Sequence, residues 1–223
     1  MSVEIISAQM THAADIAHII KVSFGEDADA STIAEVIKSG KHYPLIAILD
    51  DVVVGFIDGF LTKSSVGHIR AELDLLAVHP DCQGRGIGKK LINTFTKLQE
   101  VQSADYIRTL VRVDNTPMQY AISKCGYSSD KMVQALYILP KMPTKPASQS
   151  THIVSVGTFT YRGIWLEGVI NANALDALSL TQSNTDQITG AVVPIANMDT
   201  IAQLKKRNFE AVNDYHWWVY SLA

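Results

Sequence analysis

Apolar residues recur with two different periods along the first 140 positions of the chain. Residues 14–22 and 33–37 repeat at helical spacing. Residues Leu45–Leu49, 52–61 and 72–78 are shorter apolar runs of strand length, and Asp50-Asp51 predicts a hairpin turn between the first two. The pattern changes at Pro80. Polar, glycine-dense sequence through Gly88 gives way to Ile87, Leu91, Ile92, Phe95 and Leu98 on one helical face. Residues 107–113 form another strand-like run, ended by Asp114-Asn115. The following helix has Pro117 in its first turn and closes at Lys124-Cys125-Gly126-Tyr127, a basic last turn with a glycine stop. Residues 132–139 return to strand.

The segment from Val78 to Leu91 carries the most chemical information. Strand, glycine turn and helix in that order leave backbone N–H groups unpaired at a helix start, where the macrodipole is positive. Such a turn holds a phosphate or pyrophosphate. A phosphate-binding loop ending on Gly88-Lys89 would need glycine at Gln83 and a hydroxyl at Lys90. A dinucleotide fingerprint would need glycine or alanine at Lys89 or Leu91. Neither pattern fits. Gln83-x-x-Gly86-x-Gly88, preceded by Leu76-Ala77-Val78-His79-Pro80, resembles the acyl-CoA loop of the GNAT superfamily of N-acetyltransferases.

Asn115, its helix and Gly126-Tyr127 match the same family in register, as does the order β-α-α-β-β-β-α-β-α-β over about residues 1–140. The resemblance implies an α/β (α+β) GNAT fold, with a central mixed, mostly antiparallel sheet flanked by helices. It implies acetyl-CoA as co-substrate, held by the backbone amides of Gly84, Arg85, Gly86, Ile87 and Gly88, with Gln83 shaping the mouth of the loop. Arg85 and Lys89 bring charge near the phosphates. Leu76, Ala77 and Val78 run beside the pantetheine arm, and an amide near Val78 serves as donor to the carbonyl oxygen. Asn115 matches a CoA-contacting asparagine, and is equally suited to be only the N-cap of its helix. Ala71-Glu72-x-x-x-x-Ala77-Val78 resembles the strand whose glutamate is the general base in histone-type members. Glu72 is therefore the first candidate base and Asp74 the second. Period-2 alternation puts both on one face with Leu76 and Val78 if no bulge intervenes. The family's leaving-group tyrosine, seven residues after the asparagine, is replaced by Ile122, and Tyr120 should face elsewhere.

Beyond residue 140 the chain repeats itself in part. Residues 192–197 echo 110–115, and Asn208-Phe209 echoes Gly126-Tyr127, each later position lying 82 residues on. A helix over 198–207 and an aromatic strand over 215–220 complete the echo, but Gln-x-x-Gly-x-Gly is absent. Residues 1–140 therefore read as a GNAT domain, 141–150 as a proline-spaced linker, and 151–223 as a smaller, degenerate GNAT-like αβ half-domain. Pro194 within a strand suggests an edge or a bulge. A part-domain leaves an edge uncovered, so it should pack on the first domain or, as a homodimer, on another subunit.

Composition narrows the setting. A net charge of −3 gives no electrostatic footprint for nucleic acid, and the two cysteines form no disulfide framework. Histidine and cysteine show no metal-ligand spacing. No apolar run spans a bilayer, and the first residues lack a signal pattern, so the expectation is a cytoplasmic protein without membrane partner. The expected activity is acetyl transfer from acetyl-CoA to a primary amine of a small molecule or peptide. A CoA-binding sensor or scaffold is the alternative, and an unrelated phosphate-binding module a third class. The acceptor pocket is expected from residues 23–41, with the acids Glu26, Asp27 and Asp29, and from the loop after Leu61.

Overall fold

The computed structural model describes residues 2–143, 151–176, 180–182 and 187–222. Strands β1 (Glu4–Ser7), β2 (Leu45–Leu49), β3 (Val52–Lys63) and β4 (Ile69–Val78) lie side by side and antiparallel. Asp50 and Asp51 both take positive φ, 52° and 63°, as a two-residue hairpin of primed type demands. Between β1 and β2 the chain forms α1 (Ala13–Phe24) and α2 (Ala30–Lys38). Their Ile16, Ile19, Ile20, Ile33 and Val36 bury one face of the sheet, against Ile46, Phe56 and Ala77. The opposite face is covered by α3 (Ile87–Thr96), whose Ile87, Leu91, Ile92 and Phe95 are the residues spaced on one side in the sequence. After α3 come α4 (Gln99–Gln102), β5 (Tyr106–Arg112) and α5 (Thr116–Lys124).

The remaining elements are β6 (Val133–Leu139), β7 (Lys141–Pro143), β8 (Thr151–Gly157), β9 (Arg162–Gly168), α6 (Ala172–Asp176), β10 (Leu180–Gln182), β11 (Gln187–Pro194), α7 (Met198–Lys206) and β12 (Glu210–Ser221). They extend the same sheet to ten strands, in the order β1-β2-β3-β4-β5-β12-β6-β11-β9-β8, while β7 and β10 pair separately. The sheet is mixed and mostly antiparallel, with parallel pairs at β4–β5 and β9–β11. Of the segment read as a linker, residues 141–143 form β7, and 144–150 lie outside the described residues.

The two halves trade their closing strands. The last strand of the chain, β12, pairs with β5 over Tyr215–Ser221, whereas β6 pairs with β11 and with Glu210–His216 of β12. The ten-stranded sheet ends at β1 on one side and at β8 on the other. Phe159, from the loop after β8, is 1% exposed and sits among the α1 and α2 residues, 6.0 Å from the Phe56 ring.

Local geometry recurs at the sequence echo. Asn115 and Asn197 cap α5 and α7 with nearly the same backbone angles (−82°, 67° and −85°, 69°), each accepting the amide three residues on. Gly126 and Asn208 both take positive φ after those helices, and Tyr127 and Phe209 donate back to Ile122 and Leu204. Pro194 ends β11 opposite Gln134, after the pairing with β9 has stopped at Ala191. Ile195 donates its amide to β6. Alternation therefore turns the nitrogen of Pro194 to the open β9 side, where no ladder bond is lost.

Candidate active site

Strands β4 and β5 pair at only three positions, ending at Glu72↔Arg108. Beyond that point they diverge, and a cleft of about 690 Å³ opens between them. Leu76, Ala77 and Val78 line one wall, Leu110, Arg112 and Asn115 the other, and Gln83, Gly84, Gly86, Ile87, Gly88 and Lys89 the outer end. His79 donates its amide to Val54 of β3 at 2.8 Å. Since amides alternate along a strand, that of Val78 points the other way, into the split.

The glycine loop is shaped by its backbone. Gln83 Nε2 donates to the Val78 carbonyl at 3.0 Å and ties the loop to the strand end. Gly84 and Gly86 hold φ of 75° and 77°, a region that costs other residues about 1–2 kcal/mol. Gly86 is the N-cap of α3 and offers no side-chain cap. The first amide to find an acceptor is that of Lys90, on Gly86. Among the described residues, the amides of residues 84–89 donate to no group of the chain. Six unpaired donors beside a cleft suit the diphosphate of CoA. Arg85 departs from expectation: it does not line the cleft, and its guanidinium donates to the Asp81 carbonyl at 3.1 Å. Asn115 does line the cleft, with its side-chain oxygen committed to the Met118 amide, so it is both wall and cap.

A second cavity, of about 600 Å³, lies on the other side of the same split. The two share Leu73, Asp74, Thr109 and Leu110. Asp74 is the extra residue of a β-bulge, because Asp58 pairs with Leu75 and Gly59 with Leu73. Gly59 fixes the site of the bulge: a Cβ there would lie 2.3 Å from a ring carbon of Phe95. The bulge also corrects the expected faces. Leu76 and Val78 pack with Ala71 and Leu73 under α3, so they do not share a face with Glu72.

Glu72 is bound up in ion pairs. Arg108 Nε donates to both of its oxygens, at 3.0 and 2.8 Å, and Thr62 donates to Oε1 at 2.6 Å. Arg70 lies 3.3 Å from Oε1 and donates to Glu167 at 2.9 Å, while Arg108 donates to Glu167 at 2.8 Å. The result is a four-membered ring of two arginines and two glutamates that joins the halves. Burial works against charge on Glu167, but the two guanidiniums outweigh it and hold the carboxyl below its usual range. The Arg108 guanidinium also lies 4.2 Å from the centre of the Trp217 ring. Glu167→Ala is expected to cost about 3 kcal/mol of unfolding free energy, because it leaves the Arg70 and Arg108 guanidiniums one carboxylate, Glu72, between them. Chemical denaturation reads this; an unchanged midpoint would mean that the ring contributes nothing to the union of the halves.

Asp74 has a different setting. Among the described residues it makes no hydrogen bond or ion pair, and burial, reinforced by the nearby Asp58 charge, raises its pKa to about 7. Behind it lies Asp58, fully buried, with Oδ2 2.7 Å from Nδ1 of His42 and Oδ1 unpartnered. Burial pushes the Asp58 carboxyl up, while its hydrogen bond and charge overcome the burial penalty on His42 and raise the imidazole. Both shifts keep a proton on the pair.

Other expectations resolve by position. Ile122 is wholly buried, and Tyr127 is buried with its hydroxyl on Thr96 at 2.9 Å. Tyr120, expected to face elsewhere, reaches the cleft, as does Tyr215 of β12. Thr62 at the end of β3 and Ser65 of the following loop line the second cavity, but residues 23–41 do not; Ser23 and Phe24 line the first cleft instead. Two of the acids are occupied locally: Asp27 pairs with Lys21, and Asp29 caps α2, its hydrogen bonds from Ser31 and Thr32 lowering its pKa to about 2. The far wall of the second cavity comes instead from Val154, Val156, Tyr161, Trp165 and Glu167 of the second half, residues that no motif marks.

Among the described residues no helix is long and apolar enough to cross a membrane. No protein of curated function matches the sequence. A Pyrococcus horikoshii protein assigned as an acetyltransferase has a similar structure (TM-score 0.66, 14% identity), over 98% of this chain and 89% of the other. A glucosamine N-acetyltransferase region of a fungal multi-domain β-N-acetylglucosaminidase matches 98% of this chain and 38% of its own (TM-score 0.65, 12% identity). A GNAT-family acetyltransferase of Streptococcus pneumoniae matches 60% of this chain and 88% of its own (TM-score 0.51, 15% identity). These likenesses concern the fold. The sequence model of the acetyltransferase (GNAT) family matches residues 13–127, which hold the glycine loop, the β4–β5 split and the Asn115 helix. The chain belongs to the GNAT acetyltransferase family, with acetyl-CoA as its co-substrate.

Proposed function

We propose that the protein transfers acetyl from acetyl-CoA to a primary amine, of a small molecule or a peptide, by direct attack. The observation that carries this reading is the meeting of the two cavities at Asp74, a carboxyl poised near neutrality. The amides of residues 84–89, with the Lys89 ammonium, would hold the diphosphate, and Leu76, Ala77 and Val78 the pantetheine arm. Bound acetyl-CoA supplies the thioester: a C–N bond forms to the amine, the C–S bond breaks, and CoA leaves as the thiol.

The chain's own groups do the rest. The Val78 amide, aimed into the split, is the donor to the carbonyl oxygen, a role typically worth about 3 kcal/mol in the transition state. Asp74 takes the proton from the attacking amine. The role passes to it from Glu72, whose oxygens are held by Arg108 and Thr62. Glu72→Gln is accordingly expected to loosen the ion-pair ring and to leave the pH profile of turnover in place. With Ile122 buried, Tyr120 and Tyr215 are the phenols lining the cleft, and a thiolate of modest pKa leaves with water as proton source.

We also read residues 151–223 as a degenerate copy of the later part of the GNAT unit. The repeated caps at Asn115 and Asn197 and the second parallel strand pair support this. Thiol release from acetyl-CoA with a panel of amines and alcohols, products identified by mass spectrometry, tests the function. Amine-dependent release with an N-acetyl product is expected. Release with alcohols alone would contradict the N-transfer reading, and tight acetyl-CoA binding without release from any acceptor would favour a CoA sensor.

A further inference from the structure

The second cavity does not stop at the ion-pair ring. It runs on between β9 and β11, whose parallel pairing ends at Leu166↔Ala191, after which the strands diverge as β4 and β5 do. Val192, Pro194, Asn197 and Thr200 line this inner part. They stand 82 residues after Leu110, Arg112, Asn115 and Met118, which line the cofactor cleft. The inner cavity is thus the second half's counterpart of that cleft, without a glycine loop to receive a diphosphate.

Several of its polar groups are already spent on the chain. The side-chain oxygen of Asn197 accepts from the Thr200 amide at 3.2 Å, the Thr200 hydroxyl donates to the Ile170 carbonyl at 3.1 Å, and Asn171 accepts from the Ala174 amide at 2.9 Å. Arg108, the cation at the junction, is taken up by Glu72, Glu167 and the Trp217 face. Pro194 has no N–H to offer. The walls left for a ligand are the side chains of Val154, Val156, Trp165, Val169, Ile170 and Val192. Against these side chains a polar or anionic body would lose its water without a partner, whereas an apolar one gains.

We propose that the acceptor is a primary amine carrying an extended apolar body, alkyl or arylalkyl, with its nitrogen at Asp74 and its body lying between β9 and β11. The inference rests on the amine reading above and names the class of amine. The degenerate half then serves as the acceptor's pocket: the cleft that has no loop for a nucleotide is the one that takes the tail.

The test is a series of n-alkylamines from ethylamine to octylamine, with phenethylamine as an aryl member and spermidine as a polar contrast, read as kcat/KM for thiol release. Each added methylene is expected to raise kcat/KM about three- to fourfold until the cavity is filled, and spermidine is expected to rank with the shortest amines. Val192→Trp, which fills the inner cavity, is expected to lower kcat/KM for octylamine at least tenfold more than for ethylamine. Val169→Trp, on a residue 54% exposed, repeats the test from the opposite wall should the first variant fold poorly. A kcat/KM independent of chain length, or equal losses for long and short amines in both variants, would overturn the proposal and leave amine acetylation standing. If no amine is acetylated, the amine reading falls. Calorimetric binding of octylamine to wild type and variants then decides the pocket by itself: weaker binding in the variants supports the tail site, and no binding to wild type removes it.

Discussion

Asp74→Asn is expected to lower kcat for amine acetylation by about 10²–10⁴, the usual worth of a positioned general base. The pH profile makes the result specific. With the carboxyl raised to about 7, the wild type loses rate as pH falls below neutrality and the base becomes protonated. Protonation of the free amine slows wild type and variant alike, so the bend near pH 7 is the feature that Asp74→Asn removes. Stability should move the other way. A carboxyl whose folded pKa lies above its ordinary 3.8 holds its proton more tightly in the folded chain. Its contribution to stability is therefore complete at low pH and lost as pH rises from about 4 through about 7. At pH 8 the ionised carboxylate costs up to about 4 kcal/mol, and asparagine removes that cost. The variant should melt above the wild type at pH 8 and level with it at pH 4. Slow turnover with an unmoved bend, or a lower melting temperature at pH 8, would contradict the assignment.

Gly88→Glu is expected to weaken acetyl-CoA binding about 100-fold without unfolding the protein. Gly88 stands in the first turn of α3 without positive φ, and a Cβ there would meet Leu76 and Val78 side chains at ordinary contact distances of 3.7 and 4.0 Å. A carboxylate in the first turn suits the helix dipole, by about 0.3–1 kcal/mol, and replacing a helical glycine adds a comparable gain. The same charge faces the place where the unpaired amides would receive a diphosphate. A charge pair at about 5 Å in such partly wet surroundings repels by about 3 kcal/mol. Calorimetry with acetyl-CoA and a melting curve separate the two effects. Unchanged affinity would place the diphosphate elsewhere.

The proposed cofactor side of the site can be read from sequence because its chemistry would be carried by the backbone. Glycine spacing between Gln83 and Gly88, and the break at Pro80, dictate where amides go unpaired whatever the side chains do. The Arg85 guanidinium, on the Asp81 carbonyl, is the complementary case: its position in the loop says nothing of which way a long, exposed side chain turns. The proposed choice of Asp74 over Glu72 turns on a bulge opposite Gly59, where Phe95 takes the room of a Cβ. Without that pairing known, alternation alone put four residues on one face. The second cavity, which we propose takes the acceptor, is hidden more deeply. Tyr161, Trp165 and Glu167 reach the site only because the second half continues the first half's sheet. The exchange of β6 and β12 is a long-range pairing that two strands of similar pattern do not announce.

The most direct test is a crystal structure of the protein with CoA. The geometry predicts the diphosphate on the amides of residues 84–89, the pantetheine arm along Leu76–Val78, and the sulfur in the β4–β5 split facing Asp74. A diphosphate bound away from those amides, or a sulfur on the far side of β4 from Asp74, would contradict it.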